Sequence, residues 1–171
     1  MQKVLVTGGL GFIGSNLIKI LLKKKYSVIN IDKISYSSNF YNTKIFSKNK
    51  NYKFIKCNLE DKKKLNKIIF KYKPKGIFNL AAETHVDRSI DNPKNFIQSN
   101  IIGTFNLLEA SRKHFEKISL QRRKVFVFQH ISTDEVYGSL GEFGKFSETT
   151  PYNPRSPYSA SKASSDHLVN A

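Results

Sequence analysis

The stretch KVLVTGGLGFIG, residues 3–14, decides the fold of this chain. Residues 3–7 are a short apolar run rich in β-branched side chains, which predicts a buried strand. From Phe12 to Lys24, apolar residues recur at helical spacing. Between strand and helix the glycines satisfy G-x-G-x-x-G, a turn that lets a pyrophosphate approach the backbone and the helix N-terminus. This order predicts a dinucleotide-binding βαβ unit, and a tight turn without a ligand is the alternative.

The second predicted strand, residues 27–32, ends in Asp32. An acidic residue at this place accepts hydrogen bonds from the ribose hydroxyls of a dinucleotide and repels a 2′-phosphate, which favours NAD over NADP. Lys33 works against that preference, because its positive charge attracts phosphate. A helix-capping aspartate is the alternative interpretation of Asp32.

The rest of the chain alternates between predicted strands and helices, with long loops at residues 34–51 and 138–156. Strands that are apolar throughout and separated by helices indicate a parallel sheet covered on both faces. The sequence therefore predicts an α/β fold, a Rossmann-type doubly wound parallel sheet of about five strands, in one domain at residues 1–171. The further strands are predicted at residues 52–57, 76–82 and 124–132, and the further helices at residues 61–72, 93–115 and 157–171.

Composition excludes several other classes of protein. Hydrophobic residues make up 39% and charged residues 25% of the chain, which excludes wholesale disorder. The single cysteine, Cys57, excludes an intramolecular disulfide framework, and no histidine spacing suggests a metal site. No apolar run reaches the roughly 18 residues that span a bilayer, and no signal-peptide pattern opens the chain. We expect a cytoplasmic protein with no membrane partner and no metal.

The net charge of +16 raises the question of nucleic-acid binding. Residues 1–75 contain 18 lysines, no arginine and 3 acidic residues, whereas residues 76–171 are nearly balanced. Arginine is the better reader of bases and phosphates. A solvated lysine surface is therefore favoured over a nucleic-acid face, and we expect no nucleic-acid partner.

Tyr158 and Lys162 are spaced i, i+4 and share one face of the last predicted helix. A tyrosine has a pKa of about 10, and a neighbouring ammonium group lowers it. Such a pair can take a hydroxyl proton while a hydride leaves the same carbon for a nicotinamide. The alternative is a surface pair without a chemical role.

The fifth predicted strand leads into HISTDEVYG at residues 130–138. Ligands of doubly wound sheets lie at the carboxyl ends of the strands. The adjacent carboxyl groups of Asp134 and Glu135 could supply an acid and a base there. A turn that carries two solvated acids is the alternative.

Together these residues resemble the extended short-chain dehydrogenase/reductases, and within them the dTDP-glucose 4,6-dehydratase family. Sugar-nucleotide epimerases share the glycine turn and the Tyr/Lys pair but generally carry small or neutral residues in place of Asp134 and Glu135. The dehydratase is therefore favoured, with a related epimerase or a catalytically impaired NAD-binding fragment as alternatives. The matching stretches are residues 6–15, 32–33, 80–89, 100–104, 130–138 and 156–163.

The resemblance implies a reaction in which NAD is reduced and then regenerated. Tyr158 would accept the proton of the sugar 4-hydroxyl while hydride leaves C4, and Lys162 would hold the nicotinamide ribose. Glu135 would remove the C5 proton, Asp134 would protonate the departing C6 hydroxyl, and hydride would return to C6. Thr133 would bond the reacting sugar oxygen.

The resemblance also implies the remaining contacts. Thr84 would touch the substrate, dTDP-glucose. Family members run to about twice this length, so the later strands and a C-terminal substrate-binding part are expected to be missing. Asn58 and Ser99 stand where the family usually has aspartate and threonine. The implied cofactor-binding residues are Gly8, Gly11, Phe12, Ile13, Gly14, Asp32, Lys33, Asn58, Leu59, Leu80, Ala81, Ala82, Ser99, Tyr158 and Lys162.

The resemblance further implies a homodimer in which helices 93–115 and 157–171 pair across a two-fold axis. Apolar residues repeat at helical spacing along the first of these helices, which is consistent with one broad buried face. The plain alternative is that this face packs only on its own sheet. The repeating residues are Ile97, Ile101, Phe105 and Leu108.

Overall fold

The computed structural model describes residues 2–171. Within these residues five parallel strands form one sheet, in the order β3-β2-β1-β4-β5. The chain leaves β1 on one side to build β2 and β3, and then returns to its other side to build β4 and β5. This change of direction creates a crevice beside the carboxyl end of β1. The strands are β1 Lys3–Thr7, β2 Ser27–Asp32, β3 Tyr52–Lys56, β4 Gly76–Asn79 and β5 Val127–His130.

Helices cover the sheet and connect its strands. The helix α5 is preceded by a π-helical segment, Ile97–Ile102, that joins it to α4 without a loop. Two short 3₁₀ helices, Phe40–Phe46 and Asp134–Tyr137, lie in the connections after β2 and β5. The α-helices are α1 Phe12–Lys23, α2 Lys62–Tyr72, α3 Val86–Asp91, α4 Pro93–Phe96, α5 Gly103–Lys117, α6 Leu120–Arg123 and α7 Pro157–Asn170.

The strand β1 supplies side chains to two cores, because successive residues of a strand point to opposite faces. Leu5 packs with Leu65 of α2 and Leu107 of α5 on one face. Val4 and Val6 pack with α1 residues on the other face. The doubly wound parallel sheet predicted from the apolar strands is therefore confirmed.

Three predicted strands are longer than the observed ones, β3 by the single residue Cys57 and β4 and β5 by more. Strand β4 was expected at residues 76–82 but ends at Asn79, because the backbone N–H groups of Leu80 and Ala81 donate to Thr7 Oγ1 instead of to a neighbouring strand. Strand β5 was expected at residues 124–132, and only Val127–His130 pairs, since its partner β4 is equally short. Along this edge Val127 stays exposed.

The helix α3 was not predicted from the sequence. Its residues, VDRSID, include several poor helix formers, so propensity favours a loop. Packing against α7 decides otherwise, because Ser89 is fully buried and its Oγ accepts a hydrogen bond from the backbone N–H of Tyr158 at 3.1 Å.

No helix within residues 2–171 is long and apolar enough to cross a membrane.

Candidate functional site

The glycine turn between β1 and α1 is so tightly packed that several of its positions have no room for a side chain. Gly8 has φ of +70°, a conformation that favours glycine. A Cβ on Gly14 would lie 2.3 Å from the carbonyl oxygen of Gly8, and one on Gly9 would lie 2.1 Å from Asn30 Oδ1. The backbone at the N-terminus of α1 is thereby left open to a ligand, as a pyrophosphate requires.

Asp32, at the end of β2, is 7% exposed and organises the loops around it. Its Oδ2 accepts a hydrogen bond from the backbone N–H of Leu10 at 3.0 Å. Its Oδ1 accepts from the backbone N–H of Ile34 at 2.9 Å and from Ser38 Oγ at 2.8 Å. A carboxylate offers about four acceptor positions, so one remains for a ligand. Asp32 therefore holds the glycine turn against the following loop as well as lining the cleft.

Lys33 reaches across the cleft to residues that the sequence argument did not connect with it. Its Nζ lies 2.6 Å from Glu83 Oε1 and donates to Ser99 Oγ at 2.7 Å. The ion pair joins the end of β2 to the segment after β4, and Ser99 belongs to the π-helical segment. The charge of Lys33, which was expected to attract phosphate, is thus already compensated by a protein carboxylate.

A cleft of about 560 Å³ opens at the carboxyl ends of the strands, at the crevice beside β1. All fifteen residues expected to bind the cofactor line it, together with Thr84 and Thr133. The sequence argument missed several further lining residues. The three serines within residues 35–38, shortly after Asp32 and Lys33, could have signalled three of them. The missed residues are Ile31, Ser35, Ser37, Ser38, Cys57, Ile131 and Ser132.

The helix α7 begins where its sequence predicts. Ser156 caps it: its Oγ accepts from the backbone N–H of Ser159, and the Ser159 Oγ accepts from the backbone N–H of Ser156, each at 3.0 Å. Pro157 occupies the first turn, where a missing N–H does no harm. Tyr158 is 7% exposed and packs edge-on against Phe96, with ring centroids 6.3 Å apart. The tyrosine is therefore held rigidly at the cleft.

The Tyr158 phenol does not have the lowered pKa that the sequence argument expected. Burial raises its pKa, the nearby acids Glu135 and Asp134 act in the same direction, and the Thr133 hydroxyl opposes them. Lys162 Nζ instead donates to the carbonyl oxygen of Ile131 at 2.5 Å. Its ammonium therefore stabilises the end of β5 in this structure, and the expected effect on the tyrosine is absent.

Burial also acts on Lys162 itself. It lowers the pKa of this ammonium group to about 8, and the negative charge of Asp166 works in the opposite direction. Tyr158, Lys162 and Asp166 are each four residues apart, so they lie along one face of α7.

Asp134 and Glu135 are exposed and do not line the cleft. They form the first turn of the 3₁₀ helix Asp134–Tyr137, where Thr133 Oγ1 accepts from the backbone N–H of Glu135 at 3.3 Å. Thr133 does line the cleft, and the two acids follow it directly in the chain. Both act electrostatically on Tyr158.

A buried polar chain connects the glycine turn to α7. Thr7 Oγ1 donates to Asn79 Oδ1 at 2.7 Å, and Asn79 Nδ2 donates to His130 Nδ1 at 3.0 Å. The proton of a neutral His130 ring then resides on Nε2, which faces Asp166 Oδ1 at 3.4 Å. Burial, helped by the charge of Lys162, lowers the pKa of His130 to about 4. His130 is therefore a neutral structural residue at pH 7.

Asn100 in the π-helical segment is a further residue that the sequence argument did not assign. Its Oδ1 accepts from the backbone N–H of Glu83 at 2.8 Å, and its Nδ2 donates to the Glu83 carbonyl at 3.0 Å and to Ser161 Oγ at 2.8 Å. Its own carbonyl accepts from Ser165 Oγ at 2.7 Å. Asn100 thereby locks Glu83 and α7 into one arrangement, and π-helical segments of this kind are frequent at functional sites.

Metal binding has no visible basis in this cleft. Across residues 2–171, no three His, Cys, Asp or Glu side chains are grouped so that they could hold a metal ion.

Comparison with known proteins finds that the chain is similar to nucleotide-sugar enzymes. A family model described as GDP-mannose 4,6 dehydratase matches residues 5–171. A dTDP-glucose 4,6-dehydratase of Neisseria meningitidis serogroup B is 48% identical over 173 residues, covering 100% of this chain and 49% of the relative. The chain spans about half the length of the curated relatives it matches.

Solved structures of similar proteins have the same fold as this chain. A dTDP-glucose 4,6-dehydratase of Bacillus anthracis in complex with NAD is 40% identical with a TM-score of 0.83, covering 98% of this chain and 49% of that one. A UDP-glucose 4-epimerase of Thermus thermophilus in complex with NAD is 31% identical with a TM-score of 0.82, covering 99% of this chain and 50% of that one. The fold alone therefore does not separate dehydratase from epimerase.

Proposed function

Because the chain belongs to the GDP-mannose 4,6 dehydratase family, we propose that residues 1–171 are the NAD-binding Rossmann domain of a dTDP-glucose 4,6-dehydratase. One observation carries the proposal: a single cleft joins the glycine turn and Asp32 to Tyr158 and Lys162, and the Asp134–Glu135 pair directly follows its lining residue Thr133. The acid pair distinguishes this site from that of an epimerase. The names of the similar dehydratases support the choice of substrate.

The cofactor would lie with its pyrophosphate on the glycine turn and its adenosine ribose at Asp32. Leu80, Ala81 and Ala82 would line its path, and Tyr158 and Lys162 would reach the nicotinamide ribose. Asn58, Leu59 and Ser99 complete the lining. When bound, NAD⁺ supplies a carbon that accepts a hydride and later returns it.

Tyr158 would take the proton of the sugar 4-hydroxyl as the C4 hydride leaves. Its raised pKa makes the phenol a poor base by itself. Lys162, one turn further along α7, supplies the positive charge that favours the phenolate when its ammonium group turns from the Ile131 carbonyl towards the cleft. We infer that this rearrangement accompanies ligand binding.

Elimination of water would follow from the acid pair. A ketone at C4 acidifies the C5 proton, which Glu135 removes, and Asp134 protonates the departing C6 hydroxyl. Thr133 would hold the reacting sugar oxygen, and Thr84 would contact the sugar. Asp134 and Glu135 are carried by a short 3₁₀ helix capped by Thr133, so they directly follow the residue that would hold the sugar.

We also propose a homodimer formed through helices 93–115 and 157–171. The residues expected on one buried face do not all face the sheet: Ile97 is 48% and Phe105 is 43% exposed, whereas Thr104 and Leu107 point inwards. Large apolar side chains left exposed along a helix suit a partner of the same kind. Sedimentation of the full-length protein as a dimer is expected, and a monomer at micromolar concentration would refute this part.

The location that we propose is the cytoplasm, where the one cysteine, buried Cys57, would remain a free thiol.

The proposed activity is tested by incubating the full-length protein with dTDP-glucose and following the sugar by NMR. We expect a 4-keto-6-deoxy product, with UDP-glucose and GDP-mannose consumed far more slowly. Inversion of the 4-hydroxyl without loss of water would instead establish an epimerase. No consumption of dTDP-glucose by NAD-loaded protein would refute the proposal.

A further inference from the structure

We propose that Glu83 is a specificity-determining residue that keeps NADP out of this cleft by occupying Lys33, an inference that rests on the proposed function as an NAD-binding protein. Lys33 directly follows Asp32, so its side chain starts at the end of the cleft where the adenosine ribose is expected. Free lysine or arginine at this end of a Rossmann cleft accommodates a 2′-phosphate. The groups that already contact Lys33 therefore decide whether the cleft prefers NAD or NADP.

Lys33 is engaged by protein groups. Its Nζ lies 2.6 Å from Glu83 Oε1 and 2.7 Å from Ser99 Oγ, which together use two of its three donor protons. The lysine side chain is about one-third exposed, whereas that of Glu83 is nearly buried. A 2′-phosphate that captured Lys33 would leave the Glu83 carboxylate buried without its counter-ion, which is costly.

Glu83 cannot easily move aside to share the lysine. Its backbone N–H donates to Asn100 Oδ1 at 2.8 Å, and its carbonyl accepts from Asn100 Nδ2 at 3.0 Å. Asn100 is itself anchored to Ser161 of α7 at 2.8 Å. The carboxylate is therefore presented to Lys33 from a rigid support that does not depend on the nucleotide.

Asp32 does not provide this exclusion alone. Three of its acceptor positions are occupied by Leu10, Ile34 and Ser38, and its charge repels a phosphate, but the ion pair of Lys33 is made with Glu83 instead. With Glu83 in place, the charge of Lys33 is paired with a carboxylate, and the charge of Asp32 remains to repel a phosphate. Without the Glu83 charge, one carboxylate and one ammonium group remain, and the barrier to a 2′-phosphate falls.

The test compares NAD⁺ and NADP⁺ affinities of the full-length, nucleotide-free protein by calorimetry. Glu83→Gln keeps the size of the side chain and leaves its backbone contacts with Asn100 intact. We expect this variant to raise the NADP⁺/NAD⁺ affinity ratio about tenfold, which corresponds to about 1.4 kcal/mol. High salt should shrink the gain, because the new pairing is with a phosphate.

Three further variants complete the design, and a fourth is held in reserve. Glu83→Gln combined with Lys33→Gln should return the ratio to the wild-type value, and Lys33→Gln alone should not raise it, because it leaves no positive charge for a 2′-phosphate. Glu142→Gln, at an exposed loop position, is the matched charge control. Should Glu83→Gln not fold, Glu83→Asp, which keeps the charge but shortens its reach, should give a smaller gain.

The outcomes separate the two proposals. A wild-type protein that binds neither nucleotide refutes the proposed function. A wild-type protein that binds NAD⁺, with a ratio unchanged by Glu83→Gln or a gain that survives loss of Lys33, refutes the role of Glu83 alone.

Discussion

Acidification should destabilise this protein through one buried histidine, His130. Its Nδ1 accepts a hydrogen bond from Asn79, and its Nε2 faces Asp166 in a pocket closed to water. Burial and the neighbouring Lys162 charge lower its pKa to about 4, from an ordinary value of 6.5. Between these two values the unfolded chain binds one proton more than the folded chain, so stability falls as the pH falls through this window.

The magnitude follows from the shift. One unit of pKa corresponds to 1.36 kcal/mol, so the full shift changes the free energy of unfolding by about 3 kcal/mol. Between pH 8 and pH 5 the histidine of the unfolded chain becomes almost fully protonated, while that of the folded chain stays mostly neutral. The expected loss in the free energy of unfolding from His130 over this range is about 2 kcal/mol.

Urea unfolding followed by circular dichroism at pH 8 and pH 5 measures this loss. Carboxylates also contribute to acid sensitivity, so the decisive quantity is the difference between the wild type and His130→Gln. The variant should lose about 2 kcal/mol less on acidification, whereas His85→Gln, at an exposed position, should behave like the wild type. Equal losses in wild type and His130→Gln would refute the assignment of His130 as a buried neutral residue.

Three substitutions test other parts of the site. Glu135→Gln should stop loss of water but leave C4 oxidation possible, so that absorbance of NADH at 340 nm accumulates during a single turnover. Asp166→Asn removes a charge that raises the pKa of Lys162, so the alkaline limb of the kcat/KM profile should move to lower pH. Gly14→Ala would place a Cβ 2.3 Å from the Gly8 carbonyl oxygen; NAD⁺ affinity should fall at least about tenfold in calorimetry.

The sequence predicted the sheet well because its strands are short, apolar and separated by helices with clear spacing. Leu5 and its neighbours Val4 and Val6 face opposite cores for that simple reason. The grouping of the residues expected to bind the cofactor was also predictable, because the family resemblance and the glycine turn both point to the carboxyl ends of the strands. All of them line one cleft in the structure.

What the sequence could not predict depends on residues distant in the chain. The pairing of Lys33 with Glu83, fifty residues away, has no local signal, and it compensates the charge of the lysine. The pKa of Tyr158 was misjudged for the same reason. Helical spacing places Lys162 near it, but burial and the Ile131 carbonyl decide where the ammonium group lies.

Following the hydride is the most direct test of the central claim that Tyr158, Glu135 and Asp134 together catalyse an internal 4,6-dehydration. The full-length protein is incubated with dTDP-glucose that carries deuterium at C4, and the product is examined by NMR and mass spectrometry. We expect the label to appear at C6 of a 4-keto-6-deoxy sugar, because the hydride taken from C4 returns to C6. Label retained at C4, as in an epimerase, or lost to water, would contradict the proposed mechanism.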